Sequence, residues 1–320
     1  MAVSPVPYGK ATFLDSPRCV DLSSLEADFA IIGVPYAHPY VMEAVTSPSA
    51  TAPAAIREQS CSIVQGDLTL DHYDFDFGGP LFAGKEVRIV DCGDVAMLPG
   101  QFEGNNKAIS EAIGEILYCG AIPIVLGGDH AIPIPVMRAY EGRGSMCVVQ
   151  LDAHIDWREE RYGVREGLSS IMRRASELEC VTGMAQIGMR TVGSARQREV
   201  DDALAFGSVV IRAEDIHVYG VETALAQIPS ADRYYITFDA DGLEPSIAPG
   251  VLDPGFGGLT YFEASNLLKG VARKGKVVGY DIVEVVPALD VRNLTSLCVA
   301  RLTLNLMGEI VRQPDFGSGR

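Results

Sequence analysis

Met146-Cys147-Val148-Val149-Gln150-Leu151-Asp152-Ala153-His154-Ile155-Asp156 reads as a buried strand that runs out into ligand-type side chains. Met146–Asp152 is apolar with no strict alternation, the pattern of a strand covered on both faces. At its end, positions i, i+2 and i+4 of an extended chain project to one side, so Asp152, His154 and Asp156 can converge. Runs of the same kind recur at Asp28–Pro35, Val87–Asp91, Ile122–Leu126, Met184–Met189, Val209–Ile211, Tyr234–Asp239 and Val277–Val283. Helix-period stretches lie between them at Asn105–Tyr118, Ile134–Tyr140, Leu168–Leu178, Ser194–Phe206, Tyr261–Ala272 and Thr295–Val311, and Thr260 with Glu263 makes a capping-box start. This alternation predicts βαβ units, hence an α/β fold in three layers, α/β/α, around a central and mainly parallel sheet.

No internal repeat and no Gly-, Pro- or Ser-rich linker divides the chain, so residues 1–320 are expected to form a single domain with an irregular N-terminal segment, 1–27. After the first strand, Tyr36–Ser60 is a long irregular excursion with Pro39, Pro48 and Pro53, where a helix is doubtful before Ala54–Glu58. Because it leaves a strand's carboxyl end, it is expected to border a site.

Composition narrows the function. Hydrophobic residues at 48% and charged residues at 21% describe a globular chain with a large core. A formal charge of −16 repels phosphate backbones and anionic lipid surfaces, which argues against nucleic acid and membrane partners. Met1–Lys10 has no basic start followed by an apolar run, which disfavours secretion and points to the cytoplasm. The seven cysteines are scattered without ligand or redox spacing and read as reduced thiols.

Three strand ends carry potential metal ligands: Gly127-Gly128-Asp129-His130, Asp152-Ala153-His154-Ile155-Asp156 and Asp239-Ala240-Asp241. Beyond the carboxyl ends of neighbouring parallel strands such groups meet. Four carboxylates and two imidazoles form a hard-to-borderline donor set for Mn²⁺, Co²⁺, Ni²⁺ or Zn²⁺, and their negative charge calls for two cations.

Gly127–His130, Asp152–Asp156, and Thr237–Asp241 followed by Pro245 and Ala248–Gly250 resemble the three signatures of the ureohydrolases, the family of arginases, agmatinases and guanidinobutyrases. The resemblance runs from about Asp28 to Glu309. It implies an arginase-like sandwich in which His130, Asp152, Asp156 and Asp239 hold one ion and His154, Asp152, Asp239 and Asp241 a second, with manganese as the family default and nickel open. Asp281-Ile282-Val283-Glu284-Val285 is similar to the family's Asp-x-x-Glu-Val, which implies that Glu284 grips the substrate guanidinium. Asp156 would then carry a proton to the leaving amine. The expected reaction is hydrolysis of a small cationic guanidine to urea and an amine, agmatinase-like, with alkylguanidines or biguanides as further substrates. Two alternatives stay open: formamide release of the formiminoglutamase type, and a non-catalytic partner subunit. The resemblance also implies a homotrimer or hexamer, or an assembly with a paralogous subunit.

The sequence departs from the family in the loop after Asp156. A His-Gly is usual there, but no His occurs between His154 and His217, and Glu166 stands about where it would be. Glu166 either faces the pocket, where it would disfavour a substrate carboxylate and put agmatine-like amines first, or faces solvent beside Arg165. Trp157 either walls the pocket or packs in the core. His38 and Met42, on the Tyr36–Ser60 excursion, are candidate substrate contacts.

Overall fold

The computed structural model describes residues 3–4, 10–19, 21–36, 40, 47–66, 68–98 and 100–317. His38 and Met42 lie outside them. Eleven strands occur among these residues: β1 Val3–Ser4, β2 Phe29–Val34, β3 Tyr73–Asp74, β4 Gly79–Pro80, β5 Ile89–Val95, β6 Ile122–Gly127, β7 Met146–Leu151, β8 Val181–Met189, β9 Val209–Arg212, β10 Arg233–Asp239 and β11 Lys276–Val283. The helices are α1 Ala52–Cys61, α2 Phe102–Tyr118, α3 Pro133–Arg138, α4 Ile171–Ser176, α5 Gln197–Phe206, α6 Ala213–Tyr219, α7 Val221–Gln227, α8 Tyr261–Lys274 and α9 Leu294–Arg312.

Nine strands form one sheet in the order β1-β5-β2-β6-β11-β10-β7-β8-β9, and β3 pairs with β4 in a separate hairpin. Only β1, at the edge, runs antiparallel to its neighbour within the large sheet. Successive side chains of a strand point to opposite faces. In β2, Phe29 and Ile31 accordingly join the apolar layer under α1, α8 and α9, while Ala30, Ile32 and Val34 join the layer under α2, α3 and α4. This is the three-layer α/β/α arrangement that the sequence predicts. The capping box of α8 is also present, with Thr260 accepting from the Glu263 N–H and Glu263 from the Thr260 N–H.

The long excursion after β2 differs from expectation in one respect: α1 already begins at Ala52, with Pro53 in its first turn, where a proline costs no hydrogen bond. Arg57 of α1 is buried and donates to Asp91 (2.8 Å) and Asp94 (2.6 Å) of β5, fixing the helix on the sheet. Val291–Arg312 is long and apolar enough to cross a membrane, but 83% of an 18-residue apolar stretch within it is buried inside the fold, where α9 packs on α1 and α8.

Order and register position the site. β6, β11, β10 and β7 are consecutive neighbours, with Leu126 opposite Ile282, Asp239 opposite Val283, and Phe238 opposite Leu151. Asp239, and His130, Glu284 and Asp152 beyond the other strand ends, therefore emerge side by side at the carboxyl end of the sheet. Sequence neighbours β6 and β7 are separated by β11 and β10, and such a reversal of strand order opens a crevice at the carboxyl ends.

Candidate metal centre

The turn out of β6 requires glycine, since a Cβ on Gly128 would stand 2.1 Å from the Tyr36 carbonyl oxygen. That close approach carries His130 into the crevice. Two overlapping groups, His130–Asp152–Asp239 and Asp152–His154–Asp241, each have ligand atoms within 4.8 Å of one another. His130 Nδ1 stands 3.0 Å from Asp152 Oδ2, 3.0 Å from Asp156 Oδ2 and 3.1 Å from Asp239 Oδ2. His154 Nδ1 lies 3.1 Å from Asp241 Oδ2 and 3.5 Å from Asp152 Oδ1. All six side chains proposed from the strand ends thus meet in one place.

The backbone aims the carboxylates. Asp152 Oδ1 accepts from the His154 N–H (2.6 Å), Asp239 Oδ1 from the Asp241 N–H (2.8 Å) and Asp241 Oδ1 from the Ala153 N–H (3.1 Å). In Asp239 and Asp241 this leaves Oδ2 for the cluster, while Asp152 turns Oδ2 to His130 and Oδ1 to His154. Asp156 is held at φ 46° and Glu284 at φ 62°, a left-handed backbone that disfavours side chains with a Cβ and is tolerated where the surroundings enforce it.

The donor set fits cations by two further observations. First, His130 Nδ1 is buried and, despite three carboxylate oxygens within 3.1 Å, hydrogen-bonds to none of them. Of these, the His130, Asp152 and Asp239 atoms lie within 4.8 Å of one another, as co-ligands of one ion would, and Asp156 adds a carboxylate oxygen 3.0 Å from the ring nitrogen. Second, in a neutral ring the hydrogen-bond chain behind it would leave Nδ1 with its lone pair. Tyr235 and Thr237 both donate hydroxyl protons to Asp281, so Thr237 Oγ1, 3.0 Å from His130 Nε2, accepts from the ring N–H. Charge agrees. Burial together with Asp241 and Asp152 pushes the Asp239 carboxyl well above the ordinary range, and burial together with Asp152 lifts Asp156 to about 7. The cluster is short of positive charge.

Two supports were not legible in the sequence. Asp281 is fully buried between Tyr235 and Thr237. Gln150, also buried, donates to Asp152 (2.6 Å) and Asp156 (3.3 Å), with its own oxygen held by Gln186, which accepts from Ser208. Asp281→Asn leaves one acceptor oxygen for the two hydroxyls of Tyr235 and Thr237 and turns an amide N–H₂ toward one of them, so the chain behind His130 is disturbed and apparent Mn²⁺ affinity is expected to fall about 10- to 100-fold. Titration calorimetry of the metal-free protein checks this. Affinity within twofold of wild type would show that the chain behind His130 does not set its tautomer.

Glu284 is buried, its Oε1 accepts from the His130 backbone N–H at 2.8 Å, and burial with the nearby Asp129 carboxylate raises it to about 8. It lines a cavity of about 110 Å³ together with His130, His154, Asp156, Asp239 and Asp241, and with Arg161, Leu168, Ser169, Ser194, Leu252 and Asp253. Arg190 holds the far wall in place by donating to the carbonyls of Asp241, Leu243 and Gly255. The excursion after β2 does border the site: Ser49 Oγ lies 3.5 Å from Glu284 Oε2, and Tyr40 bonds to Ser169.

Glu166 and Trp157 do not take the substrate-facing places. Glu166 accepts two hydrogen bonds from Arg138 of α3 and one from Asn106 of α2, outside the cavity lining, and Arg165 pairs instead with Glu159. Outside the cavity and with its side chain 31% exposed, Glu166 ties its loop to the helical layer. Glu166→Gln is therefore expected to change kcat/KM less than about threefold and stability by no more than about 1 kcal/mol, as for other partly exposed pairs. Steady-state kinetics and a urea unfolding curve check it, and a tenfold activity loss would return Glu166 to the pocket. Trp157 is buried against Phe206, with ring centroids 5.9 Å apart. It packs in the core.

Comparison with known proteins agrees with this geometry. Residues 27–308 match the arginase family. An agmatinase of Blochmanniella floridana is 31% identical over 284 residues, 88% of this chain and 87% of that protein. A guanidinobutyrase of Pseudomonas aeruginosa is 29% identical over 93% of this chain and 92% of that protein. Among solved structures, the proclavaminate amidino hydrolase from Streptomyces clavuligerus superposes with a TM-score of 0.79 at 26% identity, covering 94% of this chain and 97% of that one.

Proposed function

The chain belongs to the arginase family, and we propose that it hydrolyses the carbon–nitrogen bond of a small guanidine-bearing substrate at two divalent cations, releasing urea and an amine. The observation that carries this reading is the hydrogen-bond-free His130 Nδ1 among three carboxylate oxygens, with a second imidazole–carboxylate group sharing Asp152. In the proposed assignment His130, Asp152, Asp156 and Asp239 hold one ion, and His154, Asp152, Asp239 and Asp241 the other. Mn²⁺ is the expected occupant, and Ni²⁺ suits the same donors.

A guanidinium carbon is stabilised by resonance and resists neutral water, and paired dications supply the Lewis acidity that makes water acidic enough to attack at neutral pH. The protein's own groups supply the rest. Glu284, anchored through Oε1 by the His130 N–H, orients the planar cation by charge-assisted hydrogen bonds. A water oxygen bonds to the guanidinium carbon, the bond from that carbon to the substituted nitrogen breaks, and Asp156 at the cavity wall passes a proton to the departing amine. Atoms balance as guanidine plus water giving urea plus amine.

Purified protein supplied with Mn²⁺ or Ni²⁺ and a panel of guanidines is expected to release urea and amine in equal amounts. Formamide in place of urea would move the reading to iminomethyl substrates, and no turnover with any guanidine would leave the chain as a partner subunit.

A further inference from the structure

Among the described residues, Arg161 is the one arginine or lysine lining the cavity, which otherwise carries Asp156, Asp239, Asp241, Asp253 and Glu284. Its backbone closes a tight turn. Arg161 and Val164 exchange both N–H···O bonds (2.9 and 3.0 Å), and the two residues between them, Tyr162 at φ 53° and Gly163 at φ 80°, are left-handed, as a two-residue hairpin turn with the correct twist demands. The guanidinium sits over two aromatic rings that stand at 75° to each other, its Cζ 4.9 Å from the centre of the Tyr40 ring and 5.4 Å from that of Tyr162. Tyr40 is itself fixed, since its hydroxyl accepts from the Ser169 N–H at 2.8 Å. No described carboxylate pairs with Arg161. A cation–π contact satisfies a guanidinium's charge without pairing its N–H groups to an anion, and a guanidinium's N–H fork matches a carboxylate in shape and charge.

Charge at the site points the same way. Four ligand aspartates offset two dications, and Glu284 offsets the guanidinium of a substrate. Arg161 then remains to be matched inside the cavity, while the Asp253 side chain is 80% exposed to water. A monoanion balances Arg161, whereas a dianion such as a phosphate would face Glu284 and Asp253 uncompensated. Resting on the hydrolase reading above, we propose that Arg161 is a specificity-determining residue that binds the carboxylate of an ω-guanidino acid, so that the substrate class is guanidino carboxylates. This reverses the ranking drawn from Glu166, whose charge Arg138 already neutralises.

The test pairs each guanidino acid, from 3-guanidinopropionate to 5-guanidinovalerate, with the alkylguanidine of the same chain length, using Mn²⁺-loaded wild type, Arg161→Gln and Arg161→Lys. Wild type is expected to favour the best acid over its alkyl partner by about 30-fold in kcat/KM, the discrimination of one charge-assisted pair. Arg161→Gln should bring that ratio below about threefold through KM, and Arg161→Lys, which keeps the charge without the fork, should fall between. Melting temperature and metal content of the variants report folding independently. A ratio near one in wild type, or a ratio that Arg161→Gln leaves intact, overturns the assignment while urea release still upholds the hydrolase reading. Absence of urea from every guanidine overturns both.

Discussion

Asp239→Asn is expected to lose bound metal and on the order of 10³-fold or more of kcat/KM together, because it neutralises a ligand assigned to both ions. Loss of metal is separable from loss of fold. With no cation bound, burial and the carboxylates of Asp241 and Asp152 press on Asp239 and raise its carboxyl well above the ordinary range. A carboxyl whose pKa is raised in the fold is destabilising while ionised, so a neutral amide relieves strain in the metal-free protein. The melting temperature in excess chelator should therefore be higher for Asp239→Asn than for wild type. With Mn²⁺ present the order should invert, since binding stabilises the wild type alone. Metal analysis, urea assay and two melting curves check all three. Normal metal content with full activity would sink the bridging role of Asp239.

Glu284→Gln should show the complementary pattern, with metals kept and substrate binding damaged. Glu284 belongs to neither group of metal-type ligands, and a glutamine oxygen can still accept from the His130 N–H. What disappears is the negative charge facing the substrate cation. Truncating one side of a buried, charged hydrogen-bonded pair costs about 2–4 kcal/mol, on the order of 30- to 1000-fold in kcat/KM. Unchanged kcat/KM, or loss of metal in step with activity, would remove Glu284 from the guanidinium site.

The sheet was legible because its strands are covered on both faces, and continuous apolar runs such as Ile122–Gly127 and Met146–Leu151 have no other stable use. Less was readable where elements are short. α6 and α7 have seven residues each on either side of Gly220, too few for a helical period to register, and β1 is two residues long. The six ligands were readable because their residue types cluster at three strand ends, but Asp152, His154 and Asp156 do not converge by the alternation of an extended chain, since residues 152–154 bend after β7 and Asp156 is left-handed at φ 46°. Their supports were not. Tyr235, Thr237 and Asp281 meet only through the pairing of β10 with β11, and Gln150 with Gln186 only through β7 with β8. Glu166 misled for the same reason. Its place in the sequence suggested the pocket, but Arg138, 28 residues earlier, decides where its carboxylate goes.

The central claim is that two divalent ions, held by these six side chains, are both needed to make urea. The most direct measurement is a titration of metal-free protein with Mn²⁺, reading urea production from an active guanidine against equivalents of metal per chain. No urea is expected at zero metal, and a plateau at two equivalents. Full activity in excess chelator, or a plateau at one equivalent, would contradict the claim.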